Sequence, residues 1–112
     1  MTIFEKIAAG QIPAKIILET DEFFALHDVN PQAPVHVLIV PRRCIPRVAE
    51  AGAEDAGLLG RMLLATAEVA RKLGVIEGGY RIVINNGRDA GETVPHLHMH
   101  LLAGRGLGWP PG

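Results

Sequence analysis

"PHLHMHLL", residues 95–102, sets His96, His98 and His100 at every second position of an otherwise large apolar run. Side chains two apart on a β-strand share a face, so this spacing predicts a strand. Its three imidazoles form one row, with Leu97, Met99 and Leu101 in the row behind. On an α-helix the same spacing would scatter the rings around the cylinder. Pro95 suits a residue entering a strand, and Gly104 helps to end it. Threonine, lysine or glutamate would solvate an outward face equally well, so three histidines in register point to chemistry.

Four other segments read as strands. "AKIILE" (14–19) and "EFFALHD" (22–28) flank Thr20-Asp21 as a hairpin. "VHVLIV" (35–40) is strongly β-branched and stops at Pro41, and "YRIVIN" (80–85) is the fourth. "NPQAP" (30–34) is a rigid loop, because Pro31 and Pro34 fix φ at both ends. "TIFEKIAAG" (2–10) has the spacing of a short amphipathic helix closed by Gly10. "PRRCIPRVAEAGAED" (41–55) is irregular and leads into the one long helical pattern, over 54–73. There Leu59, Met62, Leu63, Thr66, Val69, Ala70 and Leu73 form the inward stripe, and Glu68 can pair with Lys72 outside. Gly74 suits the left-handed residue that ends a helix. Two helices among five strands, joined by hairpins and one helical crossover, predict an α+β fold with a mostly antiparallel sheet. The glycine- and proline-rich stretch 104–112 forms an irregular tail to a single domain spanning 1–112.

Composition narrows the function. A chain of this length buries roughly 65% of its unfolded surface. Its 112 residues are 48% hydrophobic and 21% charged, the balance of a globular protein. With net charge −1 and no basic run longer than Arg42-Arg43, it lacks the positive charge that many phosphate contacts require, which argues against nucleic acid as a partner. Cys44 is the only cysteine, so an internal disulfide and a cysteine-rich metal site are both excluded. Glu5 and Lys6 interrupt the apolar core that a signal peptide needs. No apolar run approaches the length of a bilayer span, which takes about 20 residues. The expected location is the cytoplasm, with no membrane partner.

Three chemistries suit the histidine row. Residues i and i+2 on a strand lie about 7 Å apart and can share a metal ion, whereas i and i+4 lie about 13 Å apart and cannot. His98 with either neighbour would need a third ligand, for which His36 on "VHVLIV" is the obvious donor. Alternatively, a neutral imidazole is a competent nucleophile near neutral pH, and His98 alone has a neighbour on each side. In the third reading the row only binds an anion. The preceding loop "NNGRDAGETV" (85–94) supplies Gly87, Gly91 and the Thr93 hydroxyl, and such loops form concavities that receive phosphate oxygens. An anion cradle beside a nucleophile is what phosphoryl transfer needs.

These residues resemble the histidine triad (HIT) nucleotide-binding family, particularly its Hint branch. That family's pattern is His-φ-His-φ-His-φ-φ, with φ apolar, and "HLHMHLL" fits it throughout. "TIFEKI", "IPAKII", "HDVNPQAPVHVLIVP", "YRIVINNG", "AGETVPHLHMH" and "WPPG" follow in the family's order. The resemblance implies a homodimer whose five-stranded antiparallel sheets join into one of ten strands. It also implies hydrolysis of purine nucleoside 5′-phosphoramidates, without metal or cofactor, to an amine and a nucleoside monophosphate. A nucleotide-binding regulatory module with incidental hydrolysis is the alternative. By match to the motif, His98 is the nucleophile, and His36, His96 and His100 orient it and hydrogen-bond the phosphate. Asn85, Gly91, Glu92, Thr93 and Val94 correspond to phosphate-side contacts, and Asp28 to the residue that holds the ribose hydroxyls. Ile3, Phe4, Ile7, Leu26, His27 and Val29 match the pocket around the purine. Trp109 belongs to a terminal segment that, in the family, reaches the partner subunit near its active site.

Departures from the family pattern carry expectations of their own. Glu92 stands where relatives commonly have glutamine, so its carboxylate should turn away from the phosphate and leave only backbone to contribute. Pro95 stands where many relatives carry an aromatic residue, and Ala103 replaces a frequent glycine. Some members hold a structural zinc with an N-terminal Cys-x-x-Cys, whose positions here are Thr2 and Glu5, so no such site is expected.

Overall fold

Residues 1–112 are described by a computed structural model in which all five expected segments form strands: β1 (Ile16–Glu19), β2 (Phe23–His27), β3 (Val35–Pro41), β4 (Tyr80–Val83) and β5 (Met99–Ala103). They build one antiparallel sheet in the order β1-β2-β3-β5-β4, with helices α1 (Ile3–Ala8) and α2 (Ala56–Lys72). The α+β architecture is the one expected. No helix is long and apolar enough to cross a membrane.

Each sheet face has its own cover. Register pairs Leu26 with Leu38, Leu38 with His100, and His36 with Leu102, so these side chains share one face. Phe24, Leu26, Leu38 and Val40 on that face pack with Phe4, and Ile7 and Ala8 of α1 join them. The other face presents Phe23, Ala25, Val37, Ile39, Met99, Leu101 and Ala103 to Leu58, Met62, Ala65 and Val69 of α2. Val37, Ile39, Met62, Val69 and Leu101 are fully buried there. Burying each such side chain stabilises the fold by about 1.5–3 kcal/mol. The larger packing thus lies behind the histidine row, and α1 covers part of the front.

The elements differ from expectation at their edges. β5 begins only at Met99, opposite Ile39, so His96 and His98 precede the ladder. The Leu97 amide donates instead to the Ile45 carbonyl, because the chain beyond Pro41 has turned away and offers no strand to pair with. The alternation survives regardless, since Leu97, Met99 and Leu101 all enter the α2-side core. β4 ends at Val83 rather than residue 85. The 41–55 segment contains two 3-10 turns, Val48–Glu50 and Ala53–Asp55, and the second displaces the start of α2 to Ala56.

The buried stripe of α2 is Leu58, Met62, Ala65, Thr66, Val69 and Ala70, with Leu59 and Leu73 only partly covered and Leu63 half exposed. Leu58, Met62, Ala65 and Val69 recur at the three- and four-residue spacing of one helix face, which turns to the sheet, and Leu63 lies off that face. Lys72 does not pair with Glu68; its Nζ donates to the Ile17 carbonyl at 2.7 Å. Gly10, Gly74 and Gly104 have φ of 75°, 73° and 93°. This left-handed conformation suits glycine, and it occurs where α1, α2 and β5 end.

Candidate functional site

Four histidines converge on the α1-side face, and their hydrogen bonds fix the tautomer of each. His98 Nδ1 lies 2.7 Å from the His96 carbonyl. A carbonyl can only accept, so Nδ1 carries the hydrogen. A neutral His98 therefore keeps its lone pair on Nε2. His96 Nε2 lies 2.7 Å from the Pro41 carbonyl and donates to it, leaving Nδ1 to accept from the Thr2 hydroxyl at 2.8 Å. The Gln32 amide donates to His36 Nδ1 at 3.0 Å, so His36 Nε2 carries the hydrogen and donates to His100 Nδ1 at 2.9 Å. His100 Nε2 is then an N–H with no acceptor within the chain. His98 and His100 have rings 5.0 Å apart. Both nitrogens of His36 and His96 are committed internally, so these two orient their neighbours and cannot also bond a phosphate.

The surroundings keep the supporting rings neutral. Burial lowers the His36 pKa against the opposing pull of Asp28, and lowers that of His96 against its bond to Pro41 and the charge of Glu5. His100 falls to about 4, chiefly through burial, with His98 and His36 adding to the effect.

The loop before the row is a closed turn. Gly87 (φ 90°) and Gly91 (φ 82°) bracket a 3-10 turn at Arg88–Ala90. The Glu92 amide donates to the Gly87 carbonyl at 3.1 Å, while the Gly87 amide donates to Glu92 Oε1 at 3.0 Å. Arg47 grips the same carboxylate through Nε at 2.9 Å and Nη2 at 3.0 Å. This bond, then that from Gly87, holds the Glu92 carboxyl below its ordinary pKa. The carboxylate is thus turned into the protein as expected, but the expected backbone contribution of Glu92 is corrected, since its amide is spent inside the loop. Gly91 likewise donates to the Arg88 carbonyl. The Thr93 hydroxyl and the Thr93 and Val94 amides have no acceptor within the chain. Asn85 is half-buried just after β4.

Beside the row opens a cavity of about 800 Å³ lined by Ile3, Ile7, Leu26, His27, Asp28 and Val29, together with Ile12, Pro13, Ala14 and Lys15. Five expected pocket residues and Asp28 meet there. Phe4 does not line it: its ring is buried against His96 and His98, with centroids 5.5 and 5.0 Å away. Sequence reasoning misses the 12–15 stretch as a wall, because its residues precede a strand and carry no local chemical signal. Asp28 accepts from the Asn30 amide at 2.8 Å, and its other oxygen lies 3.5 Å from His36 Nε2. Trp109 is exposed at the far end, where Arg81 holds the tail by donating to the Gly108 carbonyl at 2.9 Å.

Two groups bring three possible metal ligands within 4.8 Å of one another: Asp28, His36 and His100; and Glu5, Cys44 and His96. Neither fits a resident ion. In the first, the facing nitrogens of His36 and His100 share a hydrogen. In the second, both His96 nitrogens are taken, Glu5 accepts the Thr2 amide at 2.9 Å, and burial raises the Cys44 thiol above its usual pKa.

The same fold recurs in known proteins. The HIT domain family matches residues 9–107. An uncharacterised HIT-like protein of Synechocystis sp. is 52% identical over 111 residues, covering 99% of this chain and 96% of that protein. The crystal structure of a HIT family hydrolase from Legionella pneumophila is 40% identical, covers 100% of both chains and superposes with a TM-score of 0.97. A histidine triad nucleotide-binding protein from Candida albicans is 30% identical, covering 98% of this chain and 83% of that one, with a TM-score of 0.82.

Proposed function

Because the chain belongs to the HIT domain family, we propose that it is a nucleotide-binding hydrolase of the Hint type, which cleaves purine nucleoside 5′-phosphoramidates through a covalent nucleotidyl-histidine. The observation that carries this is the tautomer of His98: Nδ1–H is pinned on its own chain and Nε2 is left as a lone pair. The Legionella relative is named a hydrolase and the Candida relative a nucleotide-binding protein, which supports the coarser reading of a nucleotide-binding hydrolase.

The purine occupies the cavity walled by Ile3, Ile7, Leu26, His27 and Val29, and the Asp28 carboxylate accepts hydrogen bonds from the ribose hydroxyls. The phosphoryl oxygens receive the Thr93 hydroxyl, the Thr93 and Val94 amides and His100 Nε2–H. His98 Nε2 attacks the α-phosphorus in line, and the P–N bond to the amine breaks as that nitrogen takes a proton from water. The resulting imidazolium keeps its Nδ1–H on the His96 carbonyl, which stabilises the positive charge. Water then attacks phosphorus, the P–Nε2 bond breaks, and one proton returns to the medium with the nucleoside monophosphate. No metal or other cofactor takes part.

The active form is a homodimer. β4 is an edge strand with one side unpaired, and beside it Val48, Leu59, Leu63 and Ile84 line an apolar groove of about 240 Å³. Pairing β4 with its symmetry mate would make the ten-stranded sheet and cover this groove. The Trp109 tail would then lie near the partner's site.

Incubating wild type and His98→Gly with adenosine phosphoramidate tests the nucleophile. The substitution should lower turnover by at least about 10³-fold, and intact-mass measurement should find a nucleotidyl adduct on wild type alone. Near-normal turnover by the variant would defeat the assignment. Tight nucleotide binding without turnover by wild type would leave a binding module instead.

A further inference from the structure

We propose that Thr2 is a positioning residue for His98, acting through His96. This rests on the reading of His98 as nucleophile. A single hydroxyl does two jobs at the start of α1. Its lone pair accepts the Glu5 amide at 3.2 Å, closing a capping box in which Glu5 accepts the Thr2 amide at 2.9 Å. Its hydrogen goes to His96 Nδ1, ninety-four residues away in sequence, at 2.8 Å. A helix cap needs only the first bond, so the second serves the imidazole.

That imidazole is fully buried, with its other nitrogen bonded to the Pro41 carbonyl. The opposite tautomer would set a nitrogen lone pair against the carbonyl oxygen and leave a buried group unpaired, so Thr2 and Pro41 together permit one ring state. The backbone of this pinned residue supplies the carbonyl that fixes His98 Nδ1–H. Phe4, on the same helical turn, lies against both rings. Ile3 and Ile7 of that helix wall the cavity. One six-residue helix therefore joins the base pocket to the orientation of the nucleophile.

Three variants separate the two jobs of the hydroxyl. Thr2→Ser keeps cap and donor, Thr2→Asp keeps a good cap but presents a carboxylate that cannot donate, and Thr2→Ala removes both. Nitrogen-15 NMR of the histidine rings should show His96 as the pure Nε2–H form in wild type and T2S, mixed in T2A, and doubly protonated in T2D. With adenosine phosphoramidate, kcat should fall about tenfold or more in T2A and T2D while KM stays within about threefold, and T2S should match wild type, as displacement of a reacting group by a remote change predicts. Wild-type kcat in T2D, alongside an altered His96, overturns the proposal; so does an unchanged His96 in T2A. Should T2A fail to fold, T2D carries the test alone. Should wild type fail to hydrolyse phosphoramidates, the functional reading falls, and the His98 ring still decides the link: a His98 Nδ1–H signal unaltered in T2D overturns it.

Discussion

His36 Nε2 stands 2.9 Å from His100 Nδ1, joining β3 to β5 through a pair of imidazoles rather than through the ladder alone. The bond needs the lone pair on His100 Nδ1, so it is lost when that ring is protonated, and burial lowers both pKa values, that of His100 from 6.5 to about 4. Between those pH values the unfolded chain binds more protons than the folded one, so folding stability must fall as pH falls. Above 6.5 neither state protonates this ring, and the contribution is flat. Melting temperatures measured from neutral pH downward should decline through this window, and the decline should be shallower in His100→Asn. Parallel declines in the two proteins would contradict the neutral pair.

The Arg47–Glu92 ion pair explains how a carboxylate is tolerated in the loop beside the proposed phosphate site. Removing Arg47 leaves a negative charge beside the amides proposed to bind phosphate and frees the loop from the 41–50 segment. Arg47→Ala should lower kcat/KM about tenfold, a loss typical of a charge-assisted bond. Adding Glu92→Gln to that variant should restore most of the loss, because the repelling charge is then gone. A double-mutant cycle with no coupling between the two positions would refute this account.

Asp28 should set the preference for ribose. Its substitution by alanine removes a charged acceptor worth about 1.5–3 kcal/mol, so KM for the ribonucleoside substrate should rise roughly 10- to 100-fold. The 2′-deoxy substrate should suffer less, and discrimination between the two sugars should collapse. Equal losses for both sugars would assign Asp28 to His36 instead, 3.5 Å away.

The groove between α2 and β4 should decide assembly. Leu63, half exposed, and Ile84 lie on its walls. Leu63→Glu puts a charge where the partner would pack, so the variant should elute as a monomer in size-exclusion chromatography with scattering detection. A monomeric wild type would end the dimer proposal.

Much of this is legible in the sequence because two-residue periodicity is robust: the imidazole row and its apolar backing keep their alternation even where the ladder has stopped. The α2 stripe is less legible. Leu58, Leu59, Leu63 and Leu64 are all apolar, so hydrophobicity alone does not separate Leu58, which is buried, from Leu63 and Leu64, which stay exposed. Thr2 is harder still, because its partner lies at the other end of the chain. Phe4 reads as a pocket residue beside Ile3 and Ile7, yet a fraction of a helical turn suffices to send it under the histidines. The 12–15 wall and the Arg47 grip on Glu92 depend on loop paths that periodicity does not encode.

The two-sided sheet has a practical consequence for altering this protein. The larger buried core lies on the α2 side and the proposed site on the α1 side, with the β-strand backbones between them. Libraries built at Leu58, Met62 and Val69 should therefore sort by thermal tolerance while sparing turnover, and libraries at the exposed cavity residues Ile3, Lys15 and Val29 should sort by substrate while sparing thermal tolerance. Improvements found separately on the two sides should combine without penalty.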